Sequence, residues 1–210
     1  MNSKCDTSRF AITRYVYPIV AVLLATSACS KSLPAVKGGD VIFQTSRSSQ
    51  SLAIQRATHS PYSHMGIIFV RDGKPYVLEA SATVRYTPLE EWIARGKDST
   101  FVLKRLRTTL TEDQTARLRT VARSLEGRPY DLTFEWSDTK IYCSELVWKI
   151  YDRALGIHLG KLQKLRDFDL SDVAVRAKMR ERYGYHLPLD STVISPVSMF
   201  NARELIDAGT

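Results

Sequence analysis

The chain has 210 residues, of which 44% are hydrophobic and 25% are charged. This size and composition fit one globular domain with a sizeable core, so no second domain is needed. Thirty Lys and Arg residues against 22 Asp and Glu residues give a net charge of +8 at pH 7. Because the basic residues are scattered and no nucleic-acid-binding motif is present, we expect a solvated basic surface and no nucleic-acid partner.

Residues 1 to 28 have the features of a secretion signal. Lys4, Arg9 and Arg14 precede an apolar run from 15 to 25, which is too short to span a bilayer comfortably. The leader holds three basic residues and one acidic residue, so its removal leaves a net charge of +6. This balance suits an anionic neighbourhood such as phospholipid head groups or cell-wall polymer. We therefore expect a location in the bacterial cell envelope, in the periplasm.

The segment from 25 to 30, Ala-Thr-Ser-Ala-Cys-Ser, resembles a bacterial lipobox. In a lipobox, small residues precede a cysteine that is acylated after cleavage, so Cys29 is the predicted lipidation site and membrane anchor. The segment departs from the usual pattern because Thr26 stands where Leu is expected. Ordinary signal-peptidase cleavage near Ala25 or Ala28, without a lipid, is the alternative.

After a polar tether from 29 to 37, the folded domain is predicted to occupy residues 38 to 210. Its elements follow from apolar periodicity, turn residues and helix caps. In chain order they are a strand at 41–43, a helix at 48–57 with Leu52, Ala53 and Ile54 inward, strands at 65–70 and 75–80, a helix at 88–93, a strand at 100–107 with Phe101 and Leu103 on one side, and helices opening at 111, 143 and 172. The sequence contains no evident internal repeat or low-complexity block.

The two strands at 65–70 and 75–80 form a hairpin around Asp72-Gly73, a pair typical of tight turns. A turn centred there pairs Gly66 with Glu79, which puts Glu79 diagonally next to His64 on the same face. Gly66 is expected to leave the space between these two side chains open. The opposite face must pack on the core, and it carries Met65, Ile67, Phe69, Tyr76, Leu78 and Ala80.

Cys143 opens a helix whose apolar residues recur at the spacing of one buried face and which ends at Gly156. The free amides and the positive dipole end at a helix N-terminus favour a thiolate over a thiol, so a cysteine there becomes a better nucleophile. The backbone amides of Cys143 and Ser144 could also hold an oxyanion. An inert buried cysteine is the alternative, since that is the commoner role of a free cysteine.

The other cysteines leave Cys143 without a disulfide partner. Cys5 lies in the predicted leader and Cys29 is the predicted lipid site, so no other cysteine remains to form an intramolecular disulfide with Cys143. Structural disulfides are the usual role of cysteines in an oxidising compartment. A lone thiol in an envelope protein therefore suggests a chemical function.

Together the sequence offers a cysteine on a helix start, a histidine on a strand and a carboxylate beside that histidine: Cys143, His64 and Glu79. Thiol acyl-transfer chemistry uses such a set, because imidazole takes the thiol proton and a carboxylate orients the imidazole. Glu79 could instead be an ordinary hairpin carboxylate. No metal site is expected, since no two His or Cys residues have the short spacing of zinc ligands. Three other histidines are expected to be structural or solvated: His59, His158 and His186.

The chain resembles the circularly permuted papain-like amidases of the YiiX and YaeF type, relatives of the NlpC-type cell-wall peptidases. The resemblance rests on four blocks in order: GDVI at 39–42, SHMGI at 63–67, VLEA at 77–80 and YCSELV at 142–147. It covers nearly all of the mature chain. It implies that Cys143 is the nucleophile, His64 the base and Glu79 the third polar residue.

The resemblance implies an α+β, permuted papain-like (NlpC-type) fold, with a small antiparallel, barrel-like sheet packed on the helix that carries the cysteine. The expected function is hydrolysis of an amide bond through a thioester, without a cofactor, in a peptide, a cell-wall peptide or an amino-acyl conjugate. The alternative is a lipid-directed thiol acyltransferase or esterase of the lecithin:retinol acyltransferase type. Those proteins usually carry Asn-Cys-Glu-His at the nucleophile, whereas this chain has Tyr-Cys-Ser-Glu at 142–145. A non-catalytic envelope binding lipoprotein is disfavoured, because a binding module needs no lone thiol.

Overall fold

The computed structural model describes residues 35 to 208 of the chain. The predicted secretion signal, the predicted lipidation site Cys29 and most of the predicted tether lie outside the described residues. None of the helices in the described part combines the length and apolar character needed to cross a membrane.

The described residues form an α+β domain in which the predicted elements follow one another in the predicted order. The strands at 84–88, 163–164, 192–193 and 205–207 and the helix at 196–200 were not predicted. The strands are β1 (Val41–Gln44), β2 (His64–Arg71), β3 (Lys74–Ala80), β4 (Val84–Pro88), β5 (Val102–Leu106), β6 (Gln163–Lys164), β7 (Thr192–Val193) and β8 (Leu205–Asp207). The helices are α1 (Ser49–Thr58), α2 (Leu89–Arg95), α3 (Glu112–Leu125), α4 (Cys143–Leu155), α5 (Val173–Tyr183) and α6 (Pro196–Phe200). Short 3-10 helices lie at Lys97–Ser99 and Leu165–Asp167.

Six strands form one antiparallel sheet in the order β4, β3, β2, β1, β5, β8, and β6 pairs with β7 separately. In the β2–β3 hairpin Val70 lies opposite Pro75 and Ile67 opposite Leu78, which is the predicted register. Asp72 in the turn has a positive φ of 49°, a conformation that Asp tolerates better than most residues. The turn chemistry therefore fixed the pairing of the two strands.

One face of the sheet packs on α4, as the alternation predicted. The β2 and β3 residues Met65, Ile67 and Leu78 are fully buried, and they share one apolar cluster with the inward face of α4, including Leu146 and Ile150. Burial of such a side chain contributes about 1.5–3 kcal/mol. The expected antiparallel sheet packed on the cysteine helix is thus confirmed.

The other face of the sheet is covered by α2. Trp92 of α2 and Val77 of β3 are fully buried in a second cluster, with Leu103 of β5 in the same cluster. Glu79 lies on the same face of β3 as Val77, and His64 lies on the same face of β2 as Ile68, which pairs with Val77, so both face α2. The sheet is therefore covered on both sides, and its α2 side carries the candidate histidine and carboxylate.

Two local predictions were wrong. Leu52 was expected to face inward, but it is 50% exposed, because α1 buries Ser51 and Ala53 instead. The Ser51 hydroxyl lies 2.6 Å from the Ser63 hydroxyl, so a polar contact sets this helix face. Gly66 does not open a space beside His64: a Cβ there would lie 2.4 Å from Val77 Cγ1 and 2.7 Å from a β3 carbonyl oxygen. Glycine is needed there because β3 approaches closely.

Candidate active site

Cys143 is the first residue of α4, as predicted, and it is only 3% exposed. The segment around Ile194 clamps this helix start from the other side. Ser144 Oγ donates to the Ile194 carbonyl at 2.8 Å, and the Ile194 amide donates to the Tyr142 hydroxyl at 3.0 Å. The first amides of a helix have no acceptor within the helix. The backbone amides of Cys143 and Ser144 lie at this helix start, and their role as oxyanion donors stays a prediction.

His64 and Glu79 are joined directly across β2 and β3. His64 Nε2 lies 2.6 Å from Glu79 Oε2, with the histidine side chain 14% exposed and the carboxylate fully buried. The Trp92 indole stacks on the imidazole at a ring-centroid distance of 5.9 Å. Because Nε2 is engaged by the carboxylate, Nδ1 is the ring nitrogen left for proton exchange with a thiol.

Three further donors hold the Glu79 carboxylate. Thr87 Oγ1 donates to Oε1 at 2.6 Å, Trp92 Nε1 donates to Oε2 at 3.1 Å, and the Arg95 guanidinium also donates to Oε1. Burial by itself would raise the pKa of Glu79, but hydrogen bonding and charge from His64, together with Thr87 and Arg95, lower it to about 2. The carboxylate is therefore ionised at neutral pH.

The charge of His64 is set by its two neighbours. Burial alone would lower the pKa of His64, but its interactions with the Cys143 thiol and with Glu79 outweigh burial and raise the pKa to about 9. The ring is therefore suited to the imidazolium form near neutral pH. An imidazolium next to a cysteine stabilises the thiolate, which is the reactive nucleophile.

The structure brings Cys143, His64 and Glu79 into one site, with Ser144 beside the cysteine. Two of the three other histidines have partners elsewhere. His59 Nε2 lies 3.3 Å from Asp169, and His158 Nε2 lies 2.8 Å from Asp152. The third, His186, is exposed.

Tyr130 is a residue of the site that the sequence analysis missed. Its hydroxyl accepts a hydrogen bond from Gln50 Nε2 at 3.2 Å, and it lines the same cavity as Cys143. Burial, and then negative charge at Cys143, raise the pKa of Tyr130 well above its ordinary value, so the hydroxyl keeps its proton. In the structure Tyr130 forms a β-bridge with Ile141, which is two residues before Cys143. The periodicity of the sequence does not predict this pairing.

An apolar cavity begins at Cys143. Its empty volume is about 730 Å³, including the part that is open to solvent. The lining is almost wholly apolar and comes mainly from α1, α5, the segment at 130–134 and the segment at 193–196. Cys143 belongs to the lining, whereas His64 and Glu79 do not.

Comparisons with known proteins extend over most of the chain. The family model described as "Permuted papain-like amidase enzyme, YaeF/YiiX, C92 family" matches residues 35–206. The "Uncharacterized protein YiiX" of Escherichia coli (strain K12) is 52% identical over 167 residues, which cover 80% of this chain and 83% of that protein. A crystal structure titled as that of "metalloprotein yiiX" from Escherichia coli O157:H7 superimposes with a TM-score of 0.81 at 50% identity, covering 83% of this chain and 97% of that chain.

Proposed function

Because the chain belongs to the family of permuted papain-like amidases, we propose that it is a cysteine hydrolase that cleaves an amide bond through a thioester on Cys143. The observation that carries the proposal is the buried contact of 2.6 Å between His64 and an ionised Glu79, next to a cysteine at a helix start. Groups held this way have the protonation states that thiol catalysis requires.

The proposed reaction has two halves. The Cys143 thiolate attacks the amide carbonyl carbon, and the resulting oxyanion is held by the amides of Cys143 and Ser144 and by the Tyr130 hydroxyl. The carbon–nitrogen bond then breaks as His64 gives its proton to the leaving amine, which leaves a thioester. In the second half, neutral His64 takes a proton from water, the hydroxide attacks the thioester, and the carboxylic acid leaves with the thiolate restored. Glu79 orients the imidazole throughout.

The apolar cavity favours one other candidate function. The leaving group must lie beside His64 to receive its proton, and His64 does not line the cavity. We infer that the cavity receives the acyl half of the substrate, because Cys143 lines it and His64 does not. An apolar acyl group suits a lipid-directed thiol acyltransferase or esterase as well as an amidase acting next to a large apolar side chain.

The residues described do not fit a resident metal. The O157:H7 relative is titled a metalloprotein. From 35 to 208, no group of three or more His, Cys, Asp or Glu side chains could hold a metal ion. The proposed reaction therefore takes no step through a metal.

The envelope location and the anchor at Cys29 remain part of the proposal. They are supported by the basic and apolar leader and by the lipobox-like segment that follows it. A membrane anchor would bring the site close to envelope substrates, either cell-wall peptides or lipids.

The test is incubation of the chain lacking residues 1 to 29 with muropeptides, amino-acyl amides and phospholipids, followed by mass spectrometry of the products. Cleavage of peptides or amino-acyl amides selects the amidase, and transfer or hydrolysis of a lipid acyl group selects the second candidate. The matched control is Cys143→Ala. If the parent forms neither product nor acyl-enzyme with any substrate, a binding role becomes the better explanation.

A further inference from the structure

A chain of hydrogen bonds approaches Cys143 from α5 and α1. Arg182 Nη2 of α5 donates to Gln50 Oε1 of α1 at 2.5 Å. Gln50 Nε2 in turn donates to the Tyr130 hydroxyl oxygen at 3.2 Å. The Arg182 guanidinium lies over the ring of Phe134, 5.2 Å from its centroid, which fixes the start of the chain. Gln50, Tyr130, Phe134 and Arg182 all line the cavity that contains Cys143.

Arg182 determines which group donates in each of these hydrogen bonds. A guanidinium can only donate, so it requires the amide oxygen of Gln50 to face it. The Gln50 amide group must then present its N–H to the Tyr130 oxygen. A phenol has a single hydrogen, so a Tyr130 oxygen that accepts from Gln50 is free to direct that hydrogen toward another acceptor. Tyr130 and Cys143 line the same cavity, and negative charge at Cys143 acts on the Tyr130 hydroxyl, so an oxyanion at Cys143 is the acceptor we consider.

We propose that Arg182 and Gln50 are positioning residues that hold the Tyr130 hydroxyl as a hydrogen-bond donor to the oxyanion formed at Cys143. This inference rests on the proposed function, since it requires a carbonyl group that bonds to the Cys143 sulfur. It explains why the Arg182 guanidinium and the Gln50 amide meet beside Tyr130 in a cavity whose exposed lining is mostly apolar.

Octanal tests the oxyanion contact without turnover, and it can be used with the full-length protein. The Cys143 sulfur bonds to the aldehyde carbon, the carbonyl electron pair moves to oxygen, and that oxygen takes a proton from His64 to complete a thiohemiacetal. The strength of octanal binding is read from its protection of Cys143 against iodoacetamide. The rate of alkylation without octanal reports the thiolate alone.

Tyr130→Phe should weaken octanal binding about two- to tenfold, the usual effect of losing a hydrogen bond between uncharged groups, and should change the alkylation rate by less than that. Gln50→Glu should weaken binding almost as much, because a carboxylate has no N–H and takes the Tyr130 hydrogen for itself. Gln50→Ala should be milder, because the hydroxyl then rotates freely. Gln55→Glu, the same change on the same helix, is the control and should leave octanal binding as in the parent.

Comparing the loss of octanal binding in the two Gln50 variants distinguishes a positioning role of Gln50 from a structural one. Glu keeps the side-chain size and the contact with Arg182, so a merely structural Gln50 predicts that Gln50→Ala is the more damaging. The proposal would be overturned if Gln50→Ala weakened octanal binding more than Gln50→Glu does. It would also be overturned if adding Gln50→Glu to Tyr130→Phe weakened octanal binding further. Arg182→Lys keeps a hydrogen-bond donor, so it should retain most of the octanal binding that Arg182→Met loses. Circular dichroism checks that each variant is folded.

The same assay distinguishes the failure of the inference from the failure of the proposed function. If the parent binds octanal and Tyr130→Phe binds it equally well, the inference is wrong and the thiol mechanism stands. If Cys143 of the parent neither takes up octanal nor reacts faster than a free thiol, both are wrong.

Discussion

The Glu79 carboxylate supplies the buried negative charge of the site, and Glu79→Gln removes that charge while keeping the side-chain size. Arg95 can only donate, so the new amide oxygen must occupy the position of Oε1. The amide NH₂ group then occupies the position of Oε2 and faces His64 Nε2 and the Trp92 N–H, which both donate to Oε2 in the parent. The variant therefore loses an ion pair and also places donors against each other.

The size of the effect follows from the pKa shifts. The pKa of Glu79 falls from 4.5 to about 2, and that of His64 rises from 6.5 to about 9. At 1.36 kcal/mol per pKa unit, each shift corresponds to about 3 kcal/mol. The His64–Glu79 interaction contributes to both shifts, so they are not added. Without it, the imidazolium should lose its proton well below pH 9.

The assay is the pH dependence of Cys143 alkylation by iodoacetamide, together with turnover. In Glu79→Gln the alkylation rate near neutral pH should fall, because less imidazolium is left to stabilise the thiolate. Turnover should fall by roughly tenfold or more, but less than on loss of the nucleophile, because orientation is one part of the catalytic unit. Glu90→Gln, the same change at an exposed position of α2, is the control. A parent-like alkylation profile and turnover in Glu79→Gln would refute the role of Glu79 as the group that orients His64.

Three further predictions concern the nucleophile, a buried carboxyl group and the anchor. Cys143→Ala should abolish turnover while lowering the free energy of unfolding by only about 1 kcal/mol, so activity above a trace would contradict the thiol mechanism. Burial raises the pKa of Glu145 from 4.5 to about 7 despite Lys149, so its contribution to stability is present below 4.5 and is lost as the pH rises through 7. Glu145→Gln should therefore gain stability relative to the parent, by up to about 3 kcal/mol between about pH 5 and pH 8 in urea unfolding, and parallel pH profiles would exclude this. If Cys29 is acylated, the mature protein should partition into detergent with a mass above that of the unmodified chain, whereas a freely soluble, unmodified form would rule the anchor out.

The parts of the site that the sequence predicted are those set by local chemistry. The Asp72-Gly73 turn determines the hairpin register, and the register determines that Glu79 lies beside His64. The start of α4 follows from the apolar period after Cys143, since the helix has one buried face. Each of these inferences uses residues that are close in the chain, where turn type and helical period are decisive.

The parts that the sequence did not predict depend on residues that are distant in the chain. Arg182 meets Gln50 across 132 positions, and Gln50 meets Tyr130 across 80. No periodic pattern marks such pairs, because the residues next to each member in the sequence do not indicate which distant side chain it contacts. Leu52 shows the converse, since its apolar side chain suggested burial but the Ser51 contact with Ser63 turned the helix the other way.

The Glu79 carboxylate also explains why the site can be rigid although its residues come from separate elements. Its four donors belong to β2, β4 and α2, namely His64, Thr87, Trp92 and Arg95. A fully buried carboxylate that lost one donor would leave another charge or N–H unpaired, so any movement of β4 or α2 away from the hairpin is costly. The imidazole is therefore held on the sheet side while the clamp at Ile194 holds the start of α4 on the other. Because two independent anchors fix the two reacting groups, the order in which Cys143 and His64 occur along the chain has no bearing on their geometry.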